Sequence, residues 1–179
     1  MPTSQFLVGD DCSLHPLDEA HLPFLRDLLN DPRVRRTMYE HTPRTLHRQR
    51  EWWESLGESD EVHLLVVPAD SEAPVGTVSL MGIVPKSGLA CVGYAITPEE
   101  WGNGYATAAV ELLRDYAFDE RRIEKLWASV YETNPASGRV LEKAGFGHEA
   151  THRKEAYVEG QRVDVWYYGL LRDEWRSDE

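Results

Sequence analysis

Between Val62 and Phe118 the chain changes its hydrophobic period once, and that change limits the folds open to it. Val62–Val67, Val75–Val84 and Leu89–Ile96 are apolar, β-branched runs separated by turn residues, so they predict three consecutive strands in an antiparallel meander. The third run passes through Pro98 into a glycine-bearing turn, Trp101–Thr107, and then into a helix near Gly104–Phe118 with Val110, Leu113 and Ala117 at core spacing. After it, strand and helix alternate: a strand at Leu126–Val130, a helix at Pro135–Ala144, and two strands, Ala150–Val158 and Arg162–Leu171, joined at Glu159–Gln161. Upstream, Ser13–Leu17 predicts a first strand. Asp18 caps a helix through about Asn30 carrying Leu22, Leu25, Leu28 and Leu29, "NDPRV" ends it, and a second helix covers Thr45–Leu56. The order is that of an α/β (α+β) chain with a mixed sheet. Pro68–Pro74 is its one loosely polar loop, no repeat is visible, and a single domain over residues 1–179 is expected.

Charge excludes one broad class of partner. The chain carries 31 acidic and 19 basic residues, a net −12, which disfavours a surface that must neutralise nucleic-acid phosphates but leaves room for a small cationic pocket. Only Lys86, Lys125, Lys143 and Lys154 are lysines; an arginine-rich acidic surface fits a high-salt cytoplasm and fits a GC-rich genome equally. No segment approaches the ~20 apolar residues of a membrane span, and Met1–Asp11 lacks the pattern of a secretion signal, so a soluble cytoplasmic protein is expected. Cys12 and Cys91 stand in no metal-ligand spacing, so neither a disulfide framework nor a metal is expected.

The turn at Trp101–Thr107 is where chemistry enters. Gly102 and Gly104 lack a β-carbon, which lets backbone amides approach a ligand, and small Ala106 and Thr107 open the helix. The first-turn amides have no intrahelical acceptor and lie at the positive end of the helix dipole, an arrangement suited to a diphosphate. A Gly-x-Gly turn alone is better explained by geometry than by a ligand, and only its context points to an anion. It is no Walker loop, because no Gly-Lys-Ser/Thr follows, and it is a poor dinucleotide fingerprint, because the preceding strands form a meander.

Trp101-Gly102-Asn103-Gly104-Tyr105-Ala106 resembles the coenzyme A motif of the GNAT superfamily of N-acetyltransferases, Arg/Gln-x-x-Gly-x-Gly/Ala, with Trp at its first position. The resemblance extends along nearly the whole chain. "LHPLDEAHLPFL", "NDPRV", "WGNGYAT", "ETNPASGRVLEKAGF" and "YYGLLRDEW" occur in the order used by the branch that includes ribosomal-protein N-terminal acetyltransferases. It implies a mostly antiparallel sheet flanked by helices, with a bulge or splay before the cofactor turn. It also implies acetyl-CoA as donor, and a primary amine as acceptor: a protein or peptide N-terminus, or a small molecule such as a polyamine or an antibiotic. A homodimer is compatible with such a chain; nucleic-acid and membrane partners are not expected.

The reaction so implied is direct attack of a neutral amine on the thioester, which needs a base, an oxyanion donor and a partner for the departing thiolate. By the resemblance, cofactor contacts fall on Ala95, Ile96 and Thr97, on Trp101, Gly102, Asn103, Gly104, Tyr105, Ala106 and Thr107, and on Asn134. Ser137, with Asn134, lies by the leaving sulfur. "NPASGRVLEKAGF" is also a good structural signal by itself, with Asn134 as helix cap, Pro135 at the first helical position and Gly145 as stop, so for Asn134 and Ser137 both readings stay open. Cys91 stands where relatives often carry a glutamate base; it lacks an evident partner and is expected to pack. His152, Glu155 and Asp164 are the remaining base candidates, or water serves. Tyr157, Tyr167 and Tyr168 are expected as core or cleft walls. Asn30, Asp31, Arg33, Tyr39, Trp52 and Trp53 belong to the helical region that overhangs the acceptor cleft in resembling families. A non-catalytic acyl-CoA-binding module and a binder of another phosphate ligand remain as alternatives.

Overall fold

The computed structural model describes residues 4–39 and 42–177; the remaining positions of the expected 1–179 domain lie outside it. The strands are β1 (Leu7–Val8), β2 (Cys12–Pro16), β3 (Val62–Pro68), β4 (Gly76–Val84), β5 (Leu89–Ile96), β6 (Lys125–Tyr131), β7 (Gly147–Val158) and β8 (Gln161–Leu171). The helices are α1 (Leu22–Asn30), α2 (Pro32–Arg35), α3 (Leu46–Ser55), α4 (Tyr105–Asp119), α5 (Pro135–Lys143) and α6 (Arg172–Ser177). The eight strands form one sheet in the order β1-β2-β3-β4-β5-β6-β8-β7. The expected meander is there, β3 pairing antiparallel with β4 and β4 with β5.

One pairing differs from the rest. β5 and β6, joined through α4, run parallel, and they pair only at Leu89↔Lys125, Ala90↔Leu126 and Cys91↔Trp127. Beyond Cys91 each strand keeps only its outer neighbour, β5 holding to β4 as far as Ile96 and β6 to β8 as far as Tyr131. The sheet is therefore a fork whose prongs open towards the Pro98 turn. A register irregularity accompanies it on β4, between Met81 and Val84 opposite the closed end of the fork.

Strand alternation gives the prongs two different faces. Leu64, Val66, Val78, Leu80, Ala90, Val92, Leu126, Ala128 and Val130 point towards α4 and α5 and pack with Val110, Leu113, Phe118 and Leu141 in the main core. On the opposite face Trp52 of α3 meets His63 of β3 edge-on at 5.0 Å. Along β6 and β8 that second face carries Trp127, Tyr131 and Tyr167, on which Tyr39 folds back from the α2–α3 connection, 5.2 Å from Tyr131.

The structure departs from expectation at local points. "NDPRV" does end α1, but it also starts α2: Pro32 takes the first helical position and the Asp31 carboxylate accepts the Arg33 amide at 2.8 Å. Glu19–His21 form a 3₁₀ turn before α1 rather than its first α turn. β7 begins at Gly147 instead of Ala150, because Gly147 pairs with Gly169, and two glycines carry no alternation signal. β1 and α6 escaped the sequence reading: two residues are too few to show a period, and α6 follows β8 without a break.

Candidate active site

The glycine turn is shaped by backbone conformation. Gly102 and Gly104 both have φ of 86°, a left-handed region that other residues enter only under strain, and Gly104 is the N-cap of α4. The first helical bond is Ala108 N–H to the Gly104 carbonyl at 3.1 Å, which leaves the amides of Gly104, Tyr105, Ala106 and Thr107 without intrahelical acceptors. Nothing lies within 4 Å of where a β-carbon would stand on Gly102 or Gly104, so the turn faces open space. Fifteen residues of aligned peptide dipoles end there. Two carboxylates of the preceding turn are tied by donors, Glu99 to Arg33 at 2.7 Å and Glu100 to the Asn103 amide at 2.9 Å. The donor set fits a diphosphate. Trp101, at the motif's first position, donates its indole N–H to the Ile96 carbonyl at 2.8 Å and so ties the turn to the end of β5.

Between the turn and the closed end of the fork, the inner edge of β5 lacks a strand partner. The Thr97 amide and hydroxyl both donate to the Val75 carbonyl at 2.8 Å, and Ala95 pairs with Thr77, so the peptide groups of these two residues serve β4. Alternation turns those of Ile96 and Tyr94 into the gap instead. Tyr94 was not singled out in the sequence; its even position in an apolar strand reads as core. Its ring reaches across the α4/α5 side of the fork, with the hydroxyl 2.6 Å from Ser137 Oγ and 3.0 Å from the Ser137 carbonyl. Burial pushes the Tyr94 phenol up to about 12. Asn134 occupies the N-cap position of α5, yet its side chain makes no capping hydrogen bond. Main-chain bonds hold that corner, Asn134 N–H to Tyr131 at 2.8 Å and Ser137 N–H to Asn134 at 3.1 Å.

The opposite face of the fork carries the base candidates. Cys91 is partly buried, and desolvation followed by the nearby Glu61 charge pushes its thiol up to about 11, so it stays protonated and packs. Asp164 is tied down structurally: its carboxylate accepts the Lys154 amide at 2.9 Å, inside a β7 irregularity between His152 and Ala156 where Lys154 has φ of 56°. That bulge breaks strict alternation and turns Glu155 to the side of His152. His152 Nδ1 lies 3.0 Å from one Glu155 oxygen, and the Tyr167 hydroxyl donates to the other at 2.9 Å. These bonds, His152 first, hold the Glu155 carboxyl below the usual range. The His152 ring lies 4.4 Å from that of Tyr167, which stacks at 6.1 Å on Trp127 at the closed end of the fork.

The other expected residues scatter. Tyr39 joins the aromatic face, and Asn30 pins the loop behind it through paired bonds to the Arg44 backbone at 2.7 and 2.9 Å. Asp31 and Arg33 link α2 to the Pro98 turn. Trp52 packs on His63, and Trp53 lines a separate cavity of 720 Å³ with Phe6, Leu17 and Tyr116. Tyr168 is core, its hydroxyl 3.3 Å from Glu142, and Tyr157 is exposed beneath Arg162. Among the described residues no group of three His, Cys, Asp or Glu side chains can hold a metal, and no helix is long and apolar enough to cross a membrane.

Comparison with known proteins agrees with this geometry. The Acetyltransferase (GNAT) domain family matches residues 12–147, a span that includes the fork, the turn and α5. YjcK of Bacillus subtilis (strain 168), named a probable N-acetyltransferase, is 38% identical over 125 residues, 69% of each chain. YdaF of the same organism, provisionally named a ribosomal N-acetyltransferase, is 35% identical over 103 residues, 58% of this chain and 56% of its own. The crystal structure of spermidine N-acetyltransferase from Vibrio cholerae in complex with CoA and spermine superposes with a TM-score of 0.88 at 22% identity, covering 94% of this chain and 99% of that one. A forked sheet, a glycine turn with free first-turn amides and a family match across both make this chain a member of the GNAT acetyltransferase family, an enzyme that transfers an acetyl group to an amine.

Proposed function

We propose that this enzyme transfers acetyl from acetyl-CoA directly to the α-amino group of a protein or peptide, within one domain spanning residues 1–179. The observation that carries the reading is the placement of Glu155 and Ser137 on opposite faces of one fork, each hydrogen-bonded to a tyrosine. Bound acetyl-CoA supplies an electrophilic thioester carbonyl and a thiolate leaving group. The amides of Gly104, Tyr105, Ala106 and Thr107 hold the diphosphate, with Trp101, Gly102 and Asn103 shaping the turn around it. The Ile96 amide, facing the gap where β5 lacks a strand partner, would hydrogen-bond the pantetheine, Ala95 and Thr97 keep that strand in position, and the side chain of Asn134, free of the cap, turns to the same ligand. Ser137 donates a hydrogen bond to the departing sulfur, and Glu155 accepts the proton that the attacking amine gives up.

Base strength favours an α-amine over a polyamine. A carboxylate held below its usual range accepts a proton only as the amine becomes acidic during attack, so the acceptor must arrive neutral. An α-amino group, with a pKa of roughly 7.7–8.0, is partly neutral near pH 7.5, whereas an alkylamine like that of lysine, near ~10.4, is almost wholly charged. The name of YdaF points the same way, while the spermidine enzyme shares the fold.

Thiol release from acetyl-CoA, measured with N-terminally free peptides, the same peptides blocked, and spermidine, tests the reading. The free peptides are expected to exceed spermidine at least ten-fold in kcat/KM, and Glu155→Gln to abolish the difference. Preference for spermidine would replace the acceptor assignment. Binding of CoA without turnover on any amine would favour a non-catalytic module.

A further inference from the structure

Tyr94 and Ser137 present a hydrogen-bond inventory with one proton too few. Three oxygens meet there: the Tyr94 hydroxyl, the Ser137 hydroxyl and the Ser137 carbonyl, the last of which only accepts. If the 3.0 Å contact is a donation from Tyr94 to the carbonyl, the 2.6 Å contact must be a donation from Ser137 to Tyr94. In that arrangement the Ser137 proton is spent on tyrosine and none is left for a ligand. Turning the Tyr94 proton from the carbonyl to Ser137 Oγ frees it. The exchange loses little, because the Ser137 carbonyl lies in the first turn of α5 and keeps its helical donor one turn ahead.

We propose that Tyr94 is a positioning residue for thiolate departure, whose hydroxyl proton swings from the Ser137 carbonyl to Ser137 Oγ and thereby turns the serine proton towards the leaving sulfur. The proposal rests on the reading of Ser137 as the sulfur's hydrogen-bond donor. Neither hydroxyl ionises: the amine nitrogen forms the C–N bond, the C–S bond breaks with its electron pair staying on sulfur, the amine proton goes to Glu155, and the two O–H groups only reorient. A neutral phenol is required throughout, which fits a ring packed into the main core and a hydroxyl whose ionisation is pushed well above neutrality. The position is equally telling. Tyr94 spans the side of the fork where β5 and β6 no longer pair, so its bond to Ser137 connects two elements that the sheet leaves unconnected. Phenylalanine would fill the same space without the hydrogen bond.

The test reads the bound thiol directly, without turnover. Thiolate absorbance is titrated in the binary complexes of CoA with wild type, Ser137→Ala, Tyr94→Phe and the double variant, with CoA affinity measured alongside. The wild type is expected to lower the thiol's ionisation midpoint, and each single variant to raise it by about one pH unit, a ten-fold loss of thiolate at fixed pH. The double variant is expected to add nothing to Ser137→Ala, as for two members of one chain. Fluorotyrosine at position 94, a stronger donor of the same shape, should lower the midpoint. A Tyr94→Phe complex that titrates like wild type while Ser137→Ala is shifted would overturn the role of Tyr94 alone. Unchanged titration in both would remove the reading of Ser137 on which it rests.

Discussion

The two ends of the site are built from different materials. At the proposed diphosphate end, consecutive residues Gly104–Thr107 present main-chain amides, and their side chains matter through the conformation they allow. At the proposed acyl end, Tyr94, Ser137, His152, Glu155 and Tyr167 come from four separate elements and meet through side-chain atoms. A backbone site tolerates many substitutions but no change of φ. A side-chain site tolerates movement of its backbone poorly, because each group is aimed by neighbours: Ser137 by Tyr94, and Glu155 by a bulge that Asp164 holds.

Substitutions that exploit this difference should separate binding from turnover. The largest effect is expected at the acyl end: Glu155→Gln should lower kcat/KM about a hundred- to ten-thousand-fold, the range of a lost general base, with CoA affinity unchanged by calorimetry. Because hydrogen bonds hold Glu155 below the usual range, it is ionised throughout pH 6–9, so wild-type kcat/KM on a peptide should rise with pH through the ionisation of the amine at about 8 and show no inflection for the base. Next comes Gly104→Val, which places a β-branched residue at φ of 86°. It should weaken CoA binding roughly ten-fold or more and lower stability by about 1–2 kcal/mol in a melt, while kcat at saturation changes little. A fall in kcat with affinity intact would reverse the roles of the two ends.

Smaller effects sharpen the comparison. Asp164→Ala removes the acceptor of the Lys154 amide and should lower kcat several-fold by letting the bulge relax, with a modest loss of stability. Restoration of the rate by Asp164→Asn, which keeps an acceptor oxygen, would show that the bond and not the charge is used. Cys91→Ser should leave kcat/KM within about two-fold, since its thiol neither ionises in the working range nor bonds the candidate groups. A large loss there would put the proton acceptor back on β5.

What could be read from the sequence follows the same division. The glycine turn, the meander and α5 were visible because each is made of neighbouring residues whose spacing reports backbone conformation. The fork was legible only through resemblance, since the divergence of β5 from β6 after Cys91 depends on strand positions 36 residues apart and leaves no periodic trace. Glu155 stood among the base candidates, but its choice over Asp164 required the bulge at Lys154, which breaks the alternation that sequence reasoning relies on. Tyr94 was invisible as a site residue because a buried hydroxyl with a partner looks, in sequence, like any aromatic core position. Asn134 shows the reverse: its cap signal was strong, and the fold leaves the side chain out of the cap.

The central claim of the proposed mechanism is that the amine attacks the thioester from one face of the fork and the sulfur departs on the other. A crystal structure with a peptide–CoA conjugate, in which the peptide nitrogen is joined to the CoA sulfur through an acetyl linker, tests it most directly. The expected result is sulfur within about 3.5 Å of Ser137 Oγ on the α5 side, and the linked nitrogen facing Glu155 beside Tyr167, directly or through one water. Sulfur and nitrogen on the same face, or sulfur far from Ser137, would contradict it.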